Sequence, residues 1–378
     1  MIPLRAAPAA AAAARPGASP AGGQKIRVMI CDDSAVIRFA IGSLLGAEKD
    51  IEVVARVAHG RAALDALKQH AVDVVVLDIE MPVMDGLTAL PLLLEACPGL
   101  SVIMASTLTE RGAEISMRAL RLGAADYVPK PSAMAVAGDQ RFGAELIAKV
   151  HGLARLRRTR HAPAAAAAGV GDGGQFPLRA AARQAPLLLA IGSSTGGPNA
   201  LFALVQSLPP TLGVPIVLTQ HMPPAFTTIL AQHIDKLGIL PCAEARDGDA
   251  LVPGRILLAP GNRHLLVRRS GGSMVARLSD APPENFCRPA VDPMLRSACE
   301  ATGGRMLVAM LTGMGQDGLL GSRQVVEAGG TLVAQDEATS VVWGMPGAVA
   351  RAGLAHAVLP LPQLGAKIAS LIAGGKRG

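Results

Sequence analysis

Short apolar runs alternate with amphipathic stretches along the chain from residue 25 onward. Five of these runs have the length of buried strands, and the stretches between them are compatible with helices. The predicted helical segments include AVIRFAIGSLLG (35–46), GRAALDALKQH (60–70), GLTALPLLLEA (86–96) and GAEISMRALRLG (112–123). The predicted strands are IRVMI (26–30), IEVVARV (51–57), VDVVVLD (72–78), LSVIMAS (100–106) and ADYVPK (125–130). This alternation predicts an α/β domain built on a parallel sheet with helices on both faces.

A second series of the same kind begins at residue 185. Its predicted strands are PLLLAIG (186–192), VPIVLTQ (214–220), RILLAP (255–260), MLVAML (306–311) and GGTLVAQ (329–335), with helix-like segments between them. We therefore predict a second α/β domain, doubly wound around a mostly parallel sheet.

Two segments lack this pattern. Residues 1–23 are rich in Ala, Pro and Gly without periodicity and predict a disordered tail, whereas residues 161–175 have the composition of a flexible linker. Before that linker, residues 143–160 predict an amphipathic helix with an arginine-rich end. The predicted division is a tail over 1–23, a first domain over 24–145, a helix end and linker over 146–184, and a second domain over 185–378.

Length and composition exclude several classes of protein. A chain of 378 residues is long enough for two or three domains, each with its own core. No apolar run approaches the ~18–20 residues of a membrane helix, which predicts that the chain does not insert into membranes. The five cysteines form no C-x-x-C pair and the N-terminus lacks the apolar stretch of a secretory signal. We therefore expect no disulfide framework and a cytoplasmic location.

The net charge of +7 is confined to two segments. Residues 1–23 carry two arginines and no acid, and residues 151–185 carry six arginines and one aspartate, which accounts for the whole excess. The predicted domains are thus close to neutral, and the chain has only eight aromatic residues on which bases could stack. This pattern argues against a nucleic-acid partner.

Acidic residues follow two strands of the first predicted domain, and a lysine follows a third. Asp32 and Asp33 come after the first strand, Asp78 ends the third and Lys130 ends the fifth. Because the carboxyl ends of parallel strands meet at one edge, we expect these side chains to converge. Three carboxylates suit a hard cation such as Mg²⁺, and a carboxylate beside a metal and a lysine can accept a phosphoryl group. Ser106, at the end of the fourth strand, could then hydrogen-bond the new oxygens.

The segments CDDS, LDIEMPVMDG, ASTLTE and DYVPKP resemble the receiver domain of two-component response regulators over about residues 25–145. The resemblance implies a (βα)5 flavodoxin-like fold, phosphorylation of Asp78, and Mg²⁺ as the cofactor of that phosphorylation. It carries over six further roles: Asp33 as a direct metal ligand, Asp32 acting beside it, Glu80 through its backbone carbonyl, Ser106 as the switch hydroxyl, Tyr127 as the aromatic that changes rotamer, and Lys130 as the phosphoryl contact. The Lys130–Pro131 bond is a candidate cis peptide.

The turn IGSSTGGP, after the first strand of the second domain, admits three interpretations. Its glycine spacing does not match the G-x-G-x-x-G fingerprint of dinucleotide sites, and it lacks the lysine of a P-loop. Gly192, Ser194 and Gly196 do match G-x-S-x-G, which exposes a serine hydroxyl on a tight turn beside a helix N-terminus. Serine at a helix start is more often a simple cap, so a nucleophile here requires partners.

A nucleophilic serine needs a base and a group that orients the base. His221 directly follows a buried run, and the only rival histidine near a strand end is His264. Asp317 lies just past another run, among glycines whose amides could bind an oxyanion. We therefore expect Ser194, His221 and Asp317 to meet in hydrogen-bonding contact at one sheet edge. Their chain order differs from that of α/β-hydrolases.

The second half resembles the catalytic domain of chemotaxis protein-glutamate methylesterases, the CheB family, from about residue 185 to 373. The resemblance is carried by IGSSTGG, LTQHMPPAFT, ILLAPGNRHLLV, RPAVDPMLRSA, LTGMGQDGLLGS and AQDEATSVVWGMPGAV. A receiver fused to this domain is that family's architecture. The resemblance implies Ser194 as nucleophile, His221 as general base and then acid, and Asp317 as the orienting carboxylate. The backbone amides of Thr195 and Met314 are candidate oxyanion donors, and RPAVD and WGMP have no evident chemical role.

The same resemblance implies a substrate and partners. The substrate would be glutamate methyl esters on methyl-accepting chemotaxis receptors, with glutamine deamidation as a second activity. A CheA-type histidine kinase would supply the phosphoryl group, and no metal or other cofactor is expected in hydrolysis itself. From the domain order, we expect the unphosphorylated receiver to cover the Ser194 edge and the phosphorylated receiver to release it.

Other output functions fit the sequence less well. A second domain that binds a nucleotide or cyclic dinucleotide could use the glycine-rich turn as a phosphate nest, but the chain lacks the lysine and the acidic ribose partner. A non-catalytic, receptor-binding adaptor would not need the Ser, His and Asp set. A DNA-binding output would need a helix-turn-helix pattern or a basic face, and neither is present in the sequence of the second domain.

Overall fold

The computed structural model describes residues 25–130, 140–161 and 176–374. The first sheet has the strand order β2-β1-β3-β4-β5, and all neighbouring strands are parallel. Its strands are β1 (Ile26–Cys31), β2 (Ile51–Val57), β3 (Val74–Asp78), β4 (Ser101–Ser106) and β5 (Asp126–Pro129). The helices that pack on it are α1 (Ala35–Gly46), α2 (Gly60–Leu67), α3 (Gly86–Ala96), α4 (Glu110–Arg121) and α5 (Gln140–His161).

Capping side chains fix where the helices of this domain begin. Ser34 caps α1 and Asp85 caps α3, each by accepting a hydrogen bond from the backbone amide three residues later. Both helices coincide with the segments predicted from the sequence. Helix α4 begins two residues before the predicted segment because Thr109 supplies its cap, which starts the helix at Glu110.

Helix α5 crosses the domain boundary predicted at residue 145. Leu146 and Val150 are buried in the same apolar cluster as Val28 and Ile30 of β1. The helix also lies against the second domain, since a Cβ on Gly152 would stand 1.9 Å from the carbonyl oxygen of Val341. We propose that the first domain extends through α5. Residues 1–23, residues 162–175 and Pro131 of the candidate cis bond lie outside the described residues.

The second sheet has the strand order β14-β13-β12-β6-β7-β9-β8, again with all neighbours parallel. Its strands are β6 (Leu189–Ser193), β7 (Ile216–Gln220), β8 (Cys242–Glu244), β9 (Ile256–Leu258), β12 (Leu307–Met310), β13 (Thr331–Gln335) and β14 (Ala357–Leu359). Strands β10 (His264–Ser270) and β11 (Ser273–Ser279) form a separate antiparallel hairpin. The helices are α6 (Gly197–Ser207), α7 (Pro224–Asp235), α8 (Val291–Thr302), α9 (Leu319–Glu327), α10 (Met345–Arg351) and α11 (Leu361–Gly374).

The topology places a crevice at the same point in each sheet. The chain runs from β6 to β7 on one side and later returns to β12 on the other, so the strand order reverses at β6. In the first sheet the order reverses at β1 in the same way. Ligands of doubly wound sheets bind beyond the carboxyl ends of the strands at such points. The predicted fold class, two doubly wound parallel α/β domains of which the first is flavodoxin-like, is confirmed.

Four strands of the second domain escaped the sequence prediction. β8 and β14 have three residues each, which is too short for a recognisable apolar run. β10 is exposed over its last three residues, which include two arginines, and β11 has one fully buried position, so neither forms a continuous apolar run in the sequence. Within the described ranges, no helix combines the length and apolarity needed to cross a bilayer.

Candidate active site

The turn after β6 holds Ser194 at the carboxyl edge of the second sheet. Its amide donates to the carbonyl of Thr312 at 3.0 Å, and its carbonyl accepts from Nε2 of Gln220 at 2.8 Å, so the turn is tied to both neighbouring strands. Gly196 adopts a left-handed φ of +73°. A Cβ on Gly197 would lie 1.9 Å from Oε1 of Gln220. This tight turn leaves the Ser194 side chain half-buried at the head of α6.

His221, which is partly buried, and Asp317, which is buried, form a pair beside this turn. His221 directly follows β7, and its Nε2 lies 2.7 Å from Oδ2 of Asp317. The other groups that donate to this carboxylate are the backbone amides of Val291 (2.6 Å), Asp292 (3.2 Å) and Gly318 (2.9 Å) and the side-chain amide of Asn285 (2.9 Å). These donors hold the Asp317 carboxylate in one orientation.

The pair perturbs the titration of both residues. Burial lowers the pKa of His221, but the hydrogen bond with Asp317 and the contact with Cys287 outweigh it and raise that pKa to about 10. Burial raises the pKa of Asp317, but His221 and the backbone amides outweigh it and bring that pKa below its usual value. The arrangement therefore stabilises an imidazolium beside an ionised carboxylate.

The Ser194 hydroxyl is not hydrogen-bonded to His221. Within the described ranges it has no hydrogen-bond partner, and the Nδ1 atom of His221 faces the Sγ atom of Cys287 at 3.4 Å instead. The structure thus joins the imidazole to the carboxylate and leaves the predicted contact between serine and imidazole unmade. Because Asp317 occupies Nε2, Nδ1 is the ring nitrogen left to accept a proton from Ser194.

The two amides predicted to bind an oxyanion lie in turns that adjoin Ser194. Neither the Thr195 amide nor the Met314 amide donates a hydrogen bond to another residue in the described part of the chain. The two turns approach closely, since a Cβ on Gly313 would stand 2.8 Å from the Cβ of Ser194. A side chain at residue 313 would clash here, so glycine allows the two turns to pack this closely.

Several supporting residues were not predicted. Gln220 and Thr312 hold the serine turn, and the Thr312 hydroxyl also donates to the carbonyl of Thr195 at 2.9 Å. Both directly follow or end buried strands, as His221 does, so their position was a clue that sequence reasoning did not use. Asn285 and Cys287 come from a loop, and the sequence gives no indication that this loop returns to the site.

The rival histidine has a structural role. Nδ1 of His264 lies 3.1 Å from the backbone nitrogen of Ala290, and Nε2 lies 3.1 Å from the carbonyl oxygen of Pro282. Both ring nitrogens are therefore engaged by backbone, and the residue is buried. His264 fixes the approach to α8 and is not free to act as a base.

At the equivalent edge of the first sheet, Asp32, Asp78 and Lys130 converge. The Nζ atom of Lys130 lies 2.7 Å from Oδ2 of Asp32 and 2.7 Å from Oδ2 of Asp78. Burial raises the pKa of Asp78, and Lys130 offsets only part of this effect. Burial lowers the pKa of Lys130, but the two carboxylates outweigh it and raise that pKa. A cavity of about 250 Å³ borders Asp78 and Lys130 and gives room for a phosphoryl group.

The carboxylates in this pocket suit a divalent cation. Asp32, Asp33 and Asp78 each offer an oxygen, and these atoms lie within 4.8 Å of one another. Oδ2 of Asp32 is buried, and the Nζ atom of Lys130 lies 2.7 Å from it. Hard oxygen ligands of this kind fit Mg²⁺. The amide of Glu80 donates to Oδ1 of Asp78 at 3.3 Å, which places its backbone at the rim of the pocket.

Ser106 and Tyr127 lie between this pocket and the second domain. The Ser106 hydroxyl borders the cavity and donates to the carbonyl of Gly112 in α4 at 2.9 Å. The Tyr127 ring stacks on Phe226 of α7, with centroids 4.9 Å apart and planes 13° from parallel. Phe226 follows His221 by five residues, so Tyr127 of the first domain contacts the helix that begins just after the histidine.

A second contact joins the first domain to the serine turn. Oδ2 of Asp126, in β5, accepts a hydrogen bond from the backbone amide of Gly196 at 3.0 Å. Asn199 of α6 donates to the carbonyls of Ala124 and Ala125, both at 3.0 Å. Burial raises the pKa of Asp126, and the Lys149 ammonium, 3.3 Å away, opposes this effect. The strand that carries Tyr127 thus touches the turn that carries Ser194.

Comparison with known proteins adds independent information on both domains. Residues 189–368 match the family model described as CheB methylesterase, and residues 28–137 match the response regulator receiver domain model. A protein from Paramagnetospirillum magneticum, named protein-glutamate methylesterase/protein-glutamine glutaminase 1, is 50% identical over 92% of this chain and 96% of its own. A protein of the same name, without the number, from Azospirillum brasilense is 52% identical over 91% of this chain and 92% of its own.

Among solved structures, the catalytic domain of Thermotoga maritima CheB methylesterase is 40% identical, with a TM-score of 0.48, and covers 49% of this chain and 98% of its own. The identities of about half along nearly the whole length, together with the two matched family models, settle the relationship. The chain therefore belongs to the CheB methylesterase family, with a response regulator receiver domain preceding its catalytic domain.

Proposed function

We propose that the chain hydrolyses glutamate methyl esters on methyl-accepting chemotaxis receptors and deamidates glutamines on the same receptors. The relatives described above are named for these two activities. The observation that carries the proposal is the 2.7 Å contact between His221 and Asp317. They share the sheet edge with Ser194 and with the amides of Thr195 and Met314, which donate to no residue in the described ranges. A base, an orienting carboxylate, a nucleophile and oxyanion donors are the groups that acyl transfer requires.

In the first step, the Ser194 hydroxyl oxygen bonds to the ester carbonyl carbon while Nδ1 of His221 accepts the hydroxyl proton. Asp317 accepts the Nε2 proton in a hydrogen bond and stabilises the resulting imidazolium. The carbonyl oxygen gains the negative charge and accepts hydrogen bonds from the amides of Thr195 and Met314. His221 then returns its proton to the departing methoxy oxygen. Methanol leaves, and the glutamyl group remains on Ser194.

In the second step, His221 takes a proton from water, and the water oxygen bonds to the same carbonyl carbon. The bond to Ser194 breaks, His221 returns the proton to the serine oxygen, and a free glutamate side chain is released. A glutamine amide follows the same course with ammonia as leaving group. Because an amide nitrogen leaves only when protonated, deamidation depends more strongly on proton donation from His221.

Both steps require a local rearrangement at His221. Nδ1 must turn from Cys287 toward Ser194, a change of partner within the same pocket. The imidazole must also be neutral to act as a base, and its pKa of about 10 in the present arrangement favours the charged form. We therefore expect kcat/KM to rise with pH through the neutral range.

We further propose that phosphorylation of Asp78 controls this activity. Asp33 and Asp78, with Asp32 beside them, would hold Mg²⁺, which when bound neutralises charge on the incoming phosphoryl group. Lys130 would bind the phosphoryl oxygens, since its ammonium already lies 2.7 Å from Asp78. A CheA-type histidine kinase is the expected donor.

The contacts between the domains support a gating role for the receiver. Tyr127 stacks on Phe226, and Asp126 accepts a hydrogen bond from Gly196, so β5 touches both chain segments that carry the nucleophile and the base. A phosphoryl group on Asp78 would draw the Ser106 hydroxyl away from Gly112, freeing Tyr127 to change its packing. The unphosphorylated receiver would then restrict the Ser194 edge, and the phosphorylated one would release it.

Methanol release from methylated receptor tests the hydrolytic proposal. We expect the full-length protein to release methanol and S194A to lose at least ~10³-fold in kcat. The matched control is S193A, because Ser193 precedes the nucleophile and, among the described residues, its hydroxyl donates only to Gln220. Losing that hydrogen bond should cost about tenfold at most. Equal activities of S194A and wild type would refute the serine mechanism. If the wild-type protein binds receptor but releases no methanol, the alternative of a non-catalytic, receptor-binding adaptor is favoured.

Addition of acetyl phosphate with Mg²⁺ tests the regulatory proposal in the same assay. We expect a rise in methanol release from the full-length protein and no rise from D78N, which keeps the shape of the side chain but cannot form an acyl phosphate. An equal rise in D78N would show that the donor acts elsewhere. If the wild-type protein is phosphorylated but its rate of methanol release does not rise, the gating role is refuted.

A further inference from the structure

A tight hairpin covers the pair of His221 and Asp317. Glu284 and Cys287 exchange two backbone hydrogen bonds, at 3.1 and 2.8 Å, around the two central residues Asn285 and Phe286. Both central residues have left-handed φ angles, of +50° and +63°, which is the geometry of a two-residue type I′ turn. Asn tolerates this region, whereas Phe does not adopt it readily. A strained residue beside a site suggests that the turn has a function.

The inward side chains of this 284–287 hairpin reach both members of the pair. Sγ of Cys287 lies 3.4 Å from Nδ1 of His221, and the side-chain amide of Asn285 lies 2.9 Å from Oδ1 of Asp317. Phe286 points outward and is 80% exposed. The hairpin is anchored to α8 by Glu284, whose Oε1 lies 2.5 Å from Nη2 of Arg296.

The Asn285 amide also contacts a second carboxylate. Its Nδ2 atom lies 3.0 Å from Oδ2 of Asp292, a residue that is 1% exposed and belongs to the RPAVD motif. Two carboxylate oxygens can be bridged only by the amide nitrogen, which carries two donors, so the orientation of the amide is fixed. Oδ1 of Asp292 is held in turn by the backbone amide of Gly321 at 2.6 Å.

Without this bridge, two buried carboxylates would face each other directly. Burial raises the pKa of Asp292, and the neighbouring charge of Asp317 raises it further despite the amides of Gly321 and Asn285. Mutual repulsion would then oppose the three backbone amides that hold the Asp317 carboxylate, and would leave it less firmly aligned with the imidazole. The titratable and charged groups that face the amide or its carboxylates are Asp292, Asp317, His221, Cys287 and the Glu284–Arg296 ion pair.

We propose that Asn285 is a positioning residue: by bridging Asp317 to Asp292, its amide fixes the carboxylate that orients His221. This inference deepens the proposed function and rests on it for its kinetic consequences. The proposal also gives a role to Asp292 of the RPAVD motif, which accepts the second hydrogen bond of the Asn285 amide. Asn285 does not itself touch the reacting atoms.

Two substitutions at residue 285 separate positioning from simple packing. N285A removes both hydrogen bonds, and we expect kcat to fall about 10- to 100-fold with KM unchanged. N285D keeps the shape, but a carboxyl group can donate only when protonated, and two neighbouring carboxylates raise its pKa. The ratio of N285D to wild-type kcat should therefore rise as pH falls from about 8 to 6. The ratio for N285A should stay flat.

The matched control is N262A, which removes another asparagine from a left-handed position, φ +64°, where its side chain accepts hydrogen bonds from Arg288. We expect its kcat to stay within threefold of wild type. A kcat of N285A within threefold of wild type, or an N285D ratio that does not change with pH, would overturn the proposal. If N285A does not fold, N285D alone decides it.

A spectroscopic test needs no esterase activity. In the S194A background, the Nε2 proton of His221 should give a downfield proton resonance because it is held 2.7 Å from Asp317. We expect this resonance to be lost in S194A/N285A and retained in S194A/N262A. Retention in S194A/N285A would overturn the positioning role. If the parent protein releases no methanol but the resonance behaves as expected, the proposed function fails and the positioning inference stands.

Discussion

Asp78 and Asp317 are buried carboxylates at the carboxyl edges of the two parallel sheets, and each faces one cationic side chain. Asp78 faces Lys130 and accepts the backbone amide of Glu80 at 3.3 Å. Asp317 faces His221 and accepts three backbone amides and one side-chain amide. Burial raises the pKa of Asp78, whereas the donors around Asp317 outweigh burial and lower its pKa.

The different surroundings of the two carboxylates suit the different roles proposed for them. A carboxylate that forms a bond to phosphorus must keep a lone pair free, and Asp78 has few donors and borders an open cavity. A carboxylate that orients an imidazole must not move, and the lone pairs of Asp317 are occupied by fixed amides. We propose that the number of backbone amides aimed at these two carboxylates reflects the reactive role proposed for Asp78 and the orienting role proposed for Asp317.

The largest effects are expected when Asp317 or Asp78 is replaced by asparagine, because each substitution should abolish only one of the two proposed roles. We expect D317N to lower kcat for methanol release by about 10⁴-fold, because the wrong imidazole tautomer is then favoured. Phosphorylation of D317N by acetyl phosphate should be intact. D78N should show the opposite pattern, with no acyl phosphate and unchanged activity in the absence of a phosphodonor. A D317N enzyme that retains a tenth of wild-type kcat would contradict the comparison.

The glycines packed against the two sites should respond differently to alanine. A Cβ on Gly86 would lie 1.9 Å from the backbone oxygen of Asp78, whereas a Cβ on Gly197 would meet the side chain of Gln220, which can move. We expect G86A to lower the free energy of unfolding by about 3 kcal/mol and G197A by less. G197A should instead lower kcat, because Gln220 holds the carbonyl of Ser194.

Denaturant unfolding of each variant measures these effects. The control is G46A, since no atom of the described residues lies within 4 Å of a Cβ added at that position in α1. Alanine there should be neutral or stabilise by up to about 1 kcal/mol. Equal destabilisation by G86A and G197A would mean that the serine turn is as rigid as the receiver backbone.

The stability that each cationic partner contributes should depend on pH in different ways. The folded-state pKa of His221, about 10, is raised above its usual 6.5, so its contribution is complete below pH 6.5 and is lost as pH rises toward 10. The pKa of Lys130 is raised from 10.5, so its contribution is constant over the same range. The destabilisation by H221A should shrink from pH 6 to 10, while that by K130A should not. Urea unfolding in a chelating buffer measures both, and parallel pH profiles would refute the difference.

The sequence predicted those helices and site residues that lie in, or directly beside, regular secondary structure. Helices α1 and α3 were predicted to the residue because their caps, Ser34 and Asp85, stand directly before periodic apolar stretches. Ser194, His221 and Asp78 lie at or just past buried strands, and parallel topology brings such positions together. Position along the chain was therefore sufficient to identify them as candidates.

The residues that contact His221 and Asp317 from the 284–287 hairpin could not be predicted in the same way. Asn285 and Cys287 reach His221 and Asp317 only because Phe286 adopts a left-handed φ of +63°, which no sequence preference indicates for phenylalanine. The missing hydrogen bond between Ser194 and His221 also depends on this loop, since Cys287 occupies the ring nitrogen. Contacts made by irregular loops depend on tertiary packing, which periodicity does not report.

The smallest effect expected here concerns one cysteine at each site, Cys287 beside His221 and Cys31 beside Asp32. Cys287 contacts His221 and helps to raise its pKa, so C287A should shift the rise of kcat/KM to lower pH, by about one unit or less, because a thiol is a weak hydrogen-bond partner. Cys31, beside Asp32, is fully buried, and burial raises its pKa to about 12, so it stays neutral. C31A should destabilise the receiver without moving the pH profile of hydrolysis. If C287A and C31A give the same profile, Asp317 and its amides alone set the basicity of His221, and the thiol only fills space beside the ring.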